Sequence, residues 1–292
     1  MTPLPIPAPR EDGFTSTTSL PLYWCRYGTA GARRLLMLHG GPGADHGYML
    51  PHFLDLADEF ELTFYDQRGG GRSKTDDPTP ITWQTHVDDL EKVAAELTPG
   101  PLSIVAYSWG ALLALLYAIE AAAERRTPAP ARLALVDPAP LSRTFRDRFE
   151  SEFARRSAAP ALQAMRADLS ASGLRETDPA AHKQRAFELS VAGYFNDPAL
   201  AADLTPFRVT GRVQTQVWAS LGDFDLIPAL SAVKTDTLIV HGREDPIPLE
   251  SSEAAATALQ ATLVVLDACG HVPYVEQRAG LFAALRTFLD RT

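Results

Sequence analysis

Cysteine is nearly absent from this 292-residue chain. Cys25 and Cys269, near opposite ends, cannot build a disulfide framework; their scarcity fits a reducing compartment, with the cytoplasm the expected location. No apolar run approaches the roughly 20 residues that a helix needs to cross a bilayer, so a membrane-spanning protein is not expected. Positive charge is in deficit: a formal net charge of -9 gives neither nucleic acid nor an anionic membrane surface a counterion-release gain, and neither is an expected partner. The opening MTPLPIPAPREDGF lacks the basic and apolar regions of a secretory signal. Metal-ligand spacing is missing as well, because His39, His241 and His271 fall in separate loops without a His-Glu-x-x-His pattern. No metal and no cofactor are expected.

What remains is ordinary for a soluble enzyme, 46% hydrophobic and 22% charged. After the proline-rich lead-in, TSLPLYWCRYG alternates like an edge hairpin. RRLLML, FELTFY, LSIVAY and ARLALV are short continuous apolar runs, the pattern of strands buried on both faces. Helical spacing follows in ITWQTHVDDLEKVAAEL, with Thr82 as cap, and in WGALLALLYAIEAAAERR. Strand alternating with helix predicts an α/β fold with a mostly parallel sheet flanked by helices. From about Leu141 to Leu230 only charged amphipathic helices appear. The strand rhythm then returns with DTLIVHG and ATLVVL, and a closing helix is expected from about Val275 to Leu289. The expected organisation is a core of residues 1–140 and 231–292 interrupted by a helical cap, 141–230.

Ser108 sits at a strand-to-helix junction in Ala106-Tyr107-Ser108-Trp109-Gly110. A sharp turn there exposes the middle side chain and needs small residues two before and two after, as Ala106 and Gly110 are. A serine capping the next helix is the plainer explanation of these five residues alone. A serine nucleophile needs a base, and the base an orienting acid. Asp245 follows the strand DTLIVHG, and His271 follows ATLVVLDACG, so three residues in the order serine, acid, histidine stand beyond three strand ends. Asp267 is the rival acid, only four residues before His271. An oxyanion would meet the backbone N–H of Trp109 at the positive end of a helix, and a second donor from His39-Gly-Gly-Pro-Gly43. That loop also reads as a plain turn or a phosphate cradle, although no Gly-Lys-Ser/Thr follows it.

The chain resembles the α/β-hydrolase superfamily and, within it, the proline iminopeptidase-like serine hydrolases. The resemblance rests on HGGPG (39–43), DQRGGGRS (66–73), SWG (108–110), HGREDP (241–246) and GH (270–271). It implies Ser108 as nucleophile, His271 as base, Asp245 as acid, and Gly41 with Trp109 as oxyanion donors. It further implies that Asp66, Arg68 and Arg72 brace the loops beneath the site. Iminopeptidases hold the free substrate amine with cap glutamates, one in a Trp-Glu pair. Here Trp218 is followed by Ala219, and Val191 stands where a second glutamate is expected. Glu188, Asp223 and Asp225 are the carboxylates available as replacements, although solvated helix faces are their commoner use. Trp218 and Phe224, with Phe195 and Phe207, would line an apolar acyl site or seat the cap. The expectation is a hydrolase of small esters or N-terminal prolyl-type amides, acting on a small molecule or short peptide through an acyl-enzyme. A carboxylesterase without aminopeptidase activity, and a ligand-binding receptor on the same fold, are the alternatives.

Overall fold

The computed structural model describes residues 5–290; residues 1–4 of the proline-rich lead-in and residues 291 and 292 lie outside them. Eight strands form one sheet: β1 (Glu11–Phe14), β2 (Tyr23–Gly28), β3 (Arg33–Leu38), β4 (Phe60–Tyr65), β5 (Leu102–Tyr107), β6 (Pro130–Val136), β7 (Asp236–Gly242) and β8 (Thr262–Leu266). Their spatial order is β1-β2-β4-β3-β5-β6-β7-β8. β1 and β2 pair antiparallel, as do β2 and β4, and every later pairing is parallel.

The hairpin differs from its expected position. Only Tyr23–Gly28 of TSLPLYWCRYG is strand, it lies second in the sheet, and the edge is Glu11–Phe14. Two acids and a glycine give that edge little β-propensity. It forms because its backbone completes the β2 ladder and Glu11 meets Arg26 across it at 3.0 Å.

The helices are α1 (Trp83–Leu97), α2 (Trp109–Ala122), α3 (Arg143–Ser157), α4 (Pro160–Ala171), α5 (Leu174–Thr177), α6 (Pro179–Val191), α7 (Gly211–Leu221), α8 (Ile227–Leu230), α9 (Leu249–Leu259), α10 (Pro273–Glu276) and α11 (Arg278–Leu289). Alternate residues of each buried strand feed two cores. Leu36, Leu38, Ile104, Ala106, Leu133 and Ile239 pack with α1, α2 and α9; Leu35, Met37, Val105, Ala134 and Val240 pack with α11 on the opposite face. Because both faces are covered, the strands read as continuous apolar runs. Thr82 caps α1, its hydroxyl accepting from the Thr85 N–H.

Between β6 and β7 the described residues form helices and no strand. The closing helix breaks at Gln277 instead of running unbroken from Val275. At the break Glu276 turns its carboxylate onto the backbone N–H groups of Gly270, Asn196 and Asp197, at 2.7, 2.8 and 3.1 Å. Cys25 and Cys269 are both buried and unbridged. No helix among the described residues is long and apolar enough to cross a membrane.

One buried histidine makes stability depend on pH. His86, on α1, packs edge-on against Trp109 with ring centroids 5.9 Å apart, and neither ring nitrogen has a well-formed hydrogen bond, the Arg68 backbone being only a weak partner. Burial, reinforced by the charge of His39, pushes its pKa down to about 3. The folded pKa lies below the unfolded value, so the unfolded chain binds the extra proton. Stability from the neutral ring is complete above about pH 6.5 and declines as pH falls toward 3. Between pH 7 and 4 the expected loss is roughly 3 kcal/mol. Urea unfolding across this range tests it: His86→Leu should flatten the decline relative to wild type, and parallel slopes would refute the assignment.

Candidate active site

Parallel pairing aligns the carboxyl ends of β5, β7 and β8 along one sheet edge, where ligand sites of open α/β sheets form. Ser108 follows β5 directly, with φ 54° and ψ −119°, a conformation that strains any residue with a Cβ. It precedes α2, but its side chain makes no capping bond. The turn requires Gly110: a Cβ there would stand 2.4 Å from the Leu38 carbonyl oxygen.

Ser108 Oγ lies 2.9 Å from His271 Nε2, and His271 Nδ1 lies 2.7 Å from Asp245 Oδ2. A carboxylate only accepts, so Nδ1 carries the proton and Nε2 is free to accept from the serine hydroxyl. The other Asp245 oxygen, Oδ1, accepts from the Ile247 N–H at 2.7 Å. Burial alone would raise the Asp245 pKa, but the charge and hydrogen bond of His271 hold it below the ordinary carboxylate value. The histidine is anchored through its backbone, whose N–H donates to the Tyr194 carbonyl and whose carbonyl accepts from the Tyr107 hydroxyl, both at 2.7 Å.

The rival acid is elsewhere. Asp267 is 78% exposed and paired with Arg243.

Gly41, at φ +60°, and Trp109 line the cleft beside Ser108. Among the described residues neither backbone N–H donates to another protein atom. The loop carrying Gly41 is held by His39, whose Nε2 accepts from the Gln67 N–H at 3.0 Å and whose Nδ1–H donates to the Gly40 carbonyl at 2.8 Å. Gln67 in turn accepts from the Trp109 indole N–H at 2.8 Å. Below it, Asp66 accepts from the backbone N–H groups of His46 and Arg72, and Arg68 forms a two-pronged pair with Asp89 at 2.6 and 2.7 Å. The guanidinium of Arg72 lies over the Tyr23 ring at 3.7 Å.

The cleft, about 480 Å³, brings together Ser108, His271, Gly41, Trp109 and Trp218, but its lining does not include Phe224, Glu188, Asp223 or Asp225. Phe224 is buried behind Trp218, with ring centroids 6.4 Å apart. Glu188 is buried instead of solvated, bound by Arg185 at 2.7 Å and Gln184 at 3.1 Å. Asp225 accepts from the Ile227 N–H, and Asp223 is exposed. The charged lining comes from α3 instead, in Arg143, Arg146 and Glu150.

Spacing gave no hint of Asp137 either, since Val-Asp-Pro after β6 reads as an ordinary turn. Its carboxyl is fully buried, Oδ1 accepts from the Gly242 N–H at 2.8 Å, and its oxygens approach those of Asp245. Burial first, and the Asp245 charge second, push its pKa well above the ordinary carboxylate value. Asp137, His241 and Asp245 each place one ligand-type atom within 4.8 Å of the others. His241 bonds Ser252 and the Ile247 carbonyl, and Asp245 bonds His271 and the Ile247 N–H, whereas Asp137 Oδ2 has no hydrogen-bond partner among the described residues.

A model described as the alpha/beta hydrolase family matches residues 35–285. The chain is 25% identical to a proline iminopeptidase of Thermoplasma volcanium over 302 aligned residues, 96% of this chain and 97% of that one. A proline iminopeptidase of Lactobacillus delbrueckii subsp. lactis is 40% identical, but over 89 residues, so the match spans 28% of this chain and only 30% of that relative's length. Among solved structures, a proline iminopeptidase-related protein of Thermus thermophilus superposes with a TM-score of 0.72 at 22% identity, covering 96% of both chains, a likeness of fold.

Proposed function

The chain belongs to the α/β hydrolase family, and from that premise we propose that it is a serine hydrolase cleaving small ester or N-terminal amide bonds through an acyl-enzyme at Ser108. The observation that carries this reading is the run of hydrogen bonds from Ser108 through His271 to Asp245. In the first half-reaction Ser108 Oγ attacks the scissile carbonyl carbon while His271 Nε2 takes its proton. Asp245 stabilises the imidazolium that results. The negative charge moves to the carbonyl oxygen, toward the unengaged N–H groups of Gly41 and Trp109. Collapse expels the alcohol or amine, protonated by His271, and water repeats the sequence on the acyl-enzyme. We take residues 141–230 as a cap over this cleft and 1–140 with 231–292 as the core. The likeness to proline iminopeptidases favours an amide substrate, whereas the lining of the cleft favours an ester, because among the described residues its one carboxylate, Glu150, is committed to Arg146 and none is left to hold a free amine. The compartment is read as the cytoplasm, on the two unbridged thiols.

A fluorophosphonate probe tests the nucleophile. Wild type should gain one adduct, mapped by peptide mass spectrometry to the segment holding Ser108, and Ser108→Ala should gain none. Labelling of the alanine variant would refute the assignment.

A further inference from the structure

Two arginines line the cleft without a task in the proposed chemistry. Arg143 and Arg146 stand on the first turn of α3, and Glu150 follows one turn later. Arg146 uses only Nε on Glu150, at 2.7 Å. Its guanidinium lies 4.1 Å over the Trp218 ring, and Trp218 packs edge-on against Trp109, whose centroid is 5.4 Å away. That chain of contacts sets the cation across one aromatic layer from the residue beside Ser108. Arg143 uses its Nε on Asp147, at 2.8 Å, a residue outside the lining. The terminal nitrogens of both forks have no protein acceptor among the described residues. Among the described residues the cleft lining therefore carries two guanidinium groups against one carboxylate, Glu150, which is committed to Arg146; Arg146 is held against Trp218, and Arg143 is half exposed beside Asp147.

From this we infer that the substrate carries a carboxylate, held by the free N–H groups of Arg146 and Arg143 while its ester carbonyl meets Ser108. Guanidinium matches a carboxylate with two parallel hydrogen bonds, and the apolar face of Trp218 excludes water from one side of the pair. A free amine would meet the same two cations and be repelled. The inference rests on Ser108 as nucleophile for its geometry, but anion binding can be measured separately.

The experiment compares the mono-4-nitrophenyl esters of succinic and glutaric acids with neutral 4-nitrophenyl butyrate and with proline 4-nitroanilide. Wild type should prefer a half-ester over the butyrate by roughly ten- to a hundredfold in kcat/KM, the range of a hydrogen bond to a charged group. The preference should shrink as salt rises. Arg146→Gln should remove most of it, Arg146→Lys should keep part, and Arg155→Gln, an exposed residue farther along α3, should leave it intact. Equal rates on half-ester and butyrate would overturn the inference. So would preferred cleavage of the prolyl anilide, which would make Glu150 the amine holder. Calorimetry with Ser108→Ala and the intact half-ester separates the two levels: binding weakened about tenfold by adding Arg146→Gln supports the anion site even if wild type fails to turn over. In that case the serine reading fails and this one stands. Binding indifferent to Arg146 overturns the anion site alone.

Discussion

Ser108→Ala is expected to lower kcat by about a million-fold, or roughly 8 kcal/mol of transition-state stabilisation, with the fold intact. The size follows from the interdependence of the three side chains: without Oγ, neither His271 nor Asp245 has a proton transfer to assist. What survives is stabilisation of a water attack by the N–H groups of Gly41 and Trp109. The same position gives a second readout. Ser108 at φ 54° carries strain on the order of 1 to 3 kcal/mol, which alanine keeps because the strain comes from Cβ. Ser108→Ala should therefore unfold in urea near the wild-type midpoint. Ser108→Gly should be more stable by about 1 kcal/mol, relief of strain offset in part by the entropy of a glycine in the unfolded chain. Retained turnover in Ser108→Ala on a good ester, measured on protein shown to be folded, would refute the nucleophile assignment.

Much of this site can be read along the chain because a parallel sheet converts order into position. Strands β3 to β8 all end on the same edge, so a serine, an acid and a histidine each just past the end of one of them come to the same side of the sheet, as Ser108, Asp245 and His271 do. The cap side chains have no such rule. Helical periodicity tells which residues share a face, yet not which face looks into the cleft; α3 is so charged that it buries no residue, and its pattern does not distinguish Arg146 from Glu188 on α6. Asp137 was hidden for a different reason. Its importance lies in proximity to Asp245 across β6 and β7, strands about 100 residues apart in sequence, and its own neighbours, a strand end and a proline, account for it locally. Edge strand β1 was obscured by composition, since pairing with β2 overrides the poor propensity of Glu-Asp-Gly.

Asp245→Asn is expected to reduce kcat by about ten-thousand-fold, and the hydrogen bonds give the reason. Oδ1 of Asp245 accepts from the Ile247 N–H. An asparagine must keep its carbonyl there, which turns the amide NH₂ toward His271 Nδ1, where Oδ2 stands now. The amide nitrogen only donates, so Nδ1 must become the acceptor and the ring proton moves to Nε2. That nitrogen then faces the Ser108 hydroxyl already protonated and cannot act as base. Asp137 does not rescue the variant: its Oδ1 is held by the Gly242 N–H, and among the described residues it makes no hydrogen bond to His271. The double variant Ser108→Ala/Asp245→Asn should be no slower than Ser108→Ala alone, because both changes disable one unit. Steady-state rates for the two single variants and the double check this. A loss below tenfold in Asp245→Asn would mean another group orients His271, and a further large loss in the double would mean Asp245 works outside the serine's proton transfer.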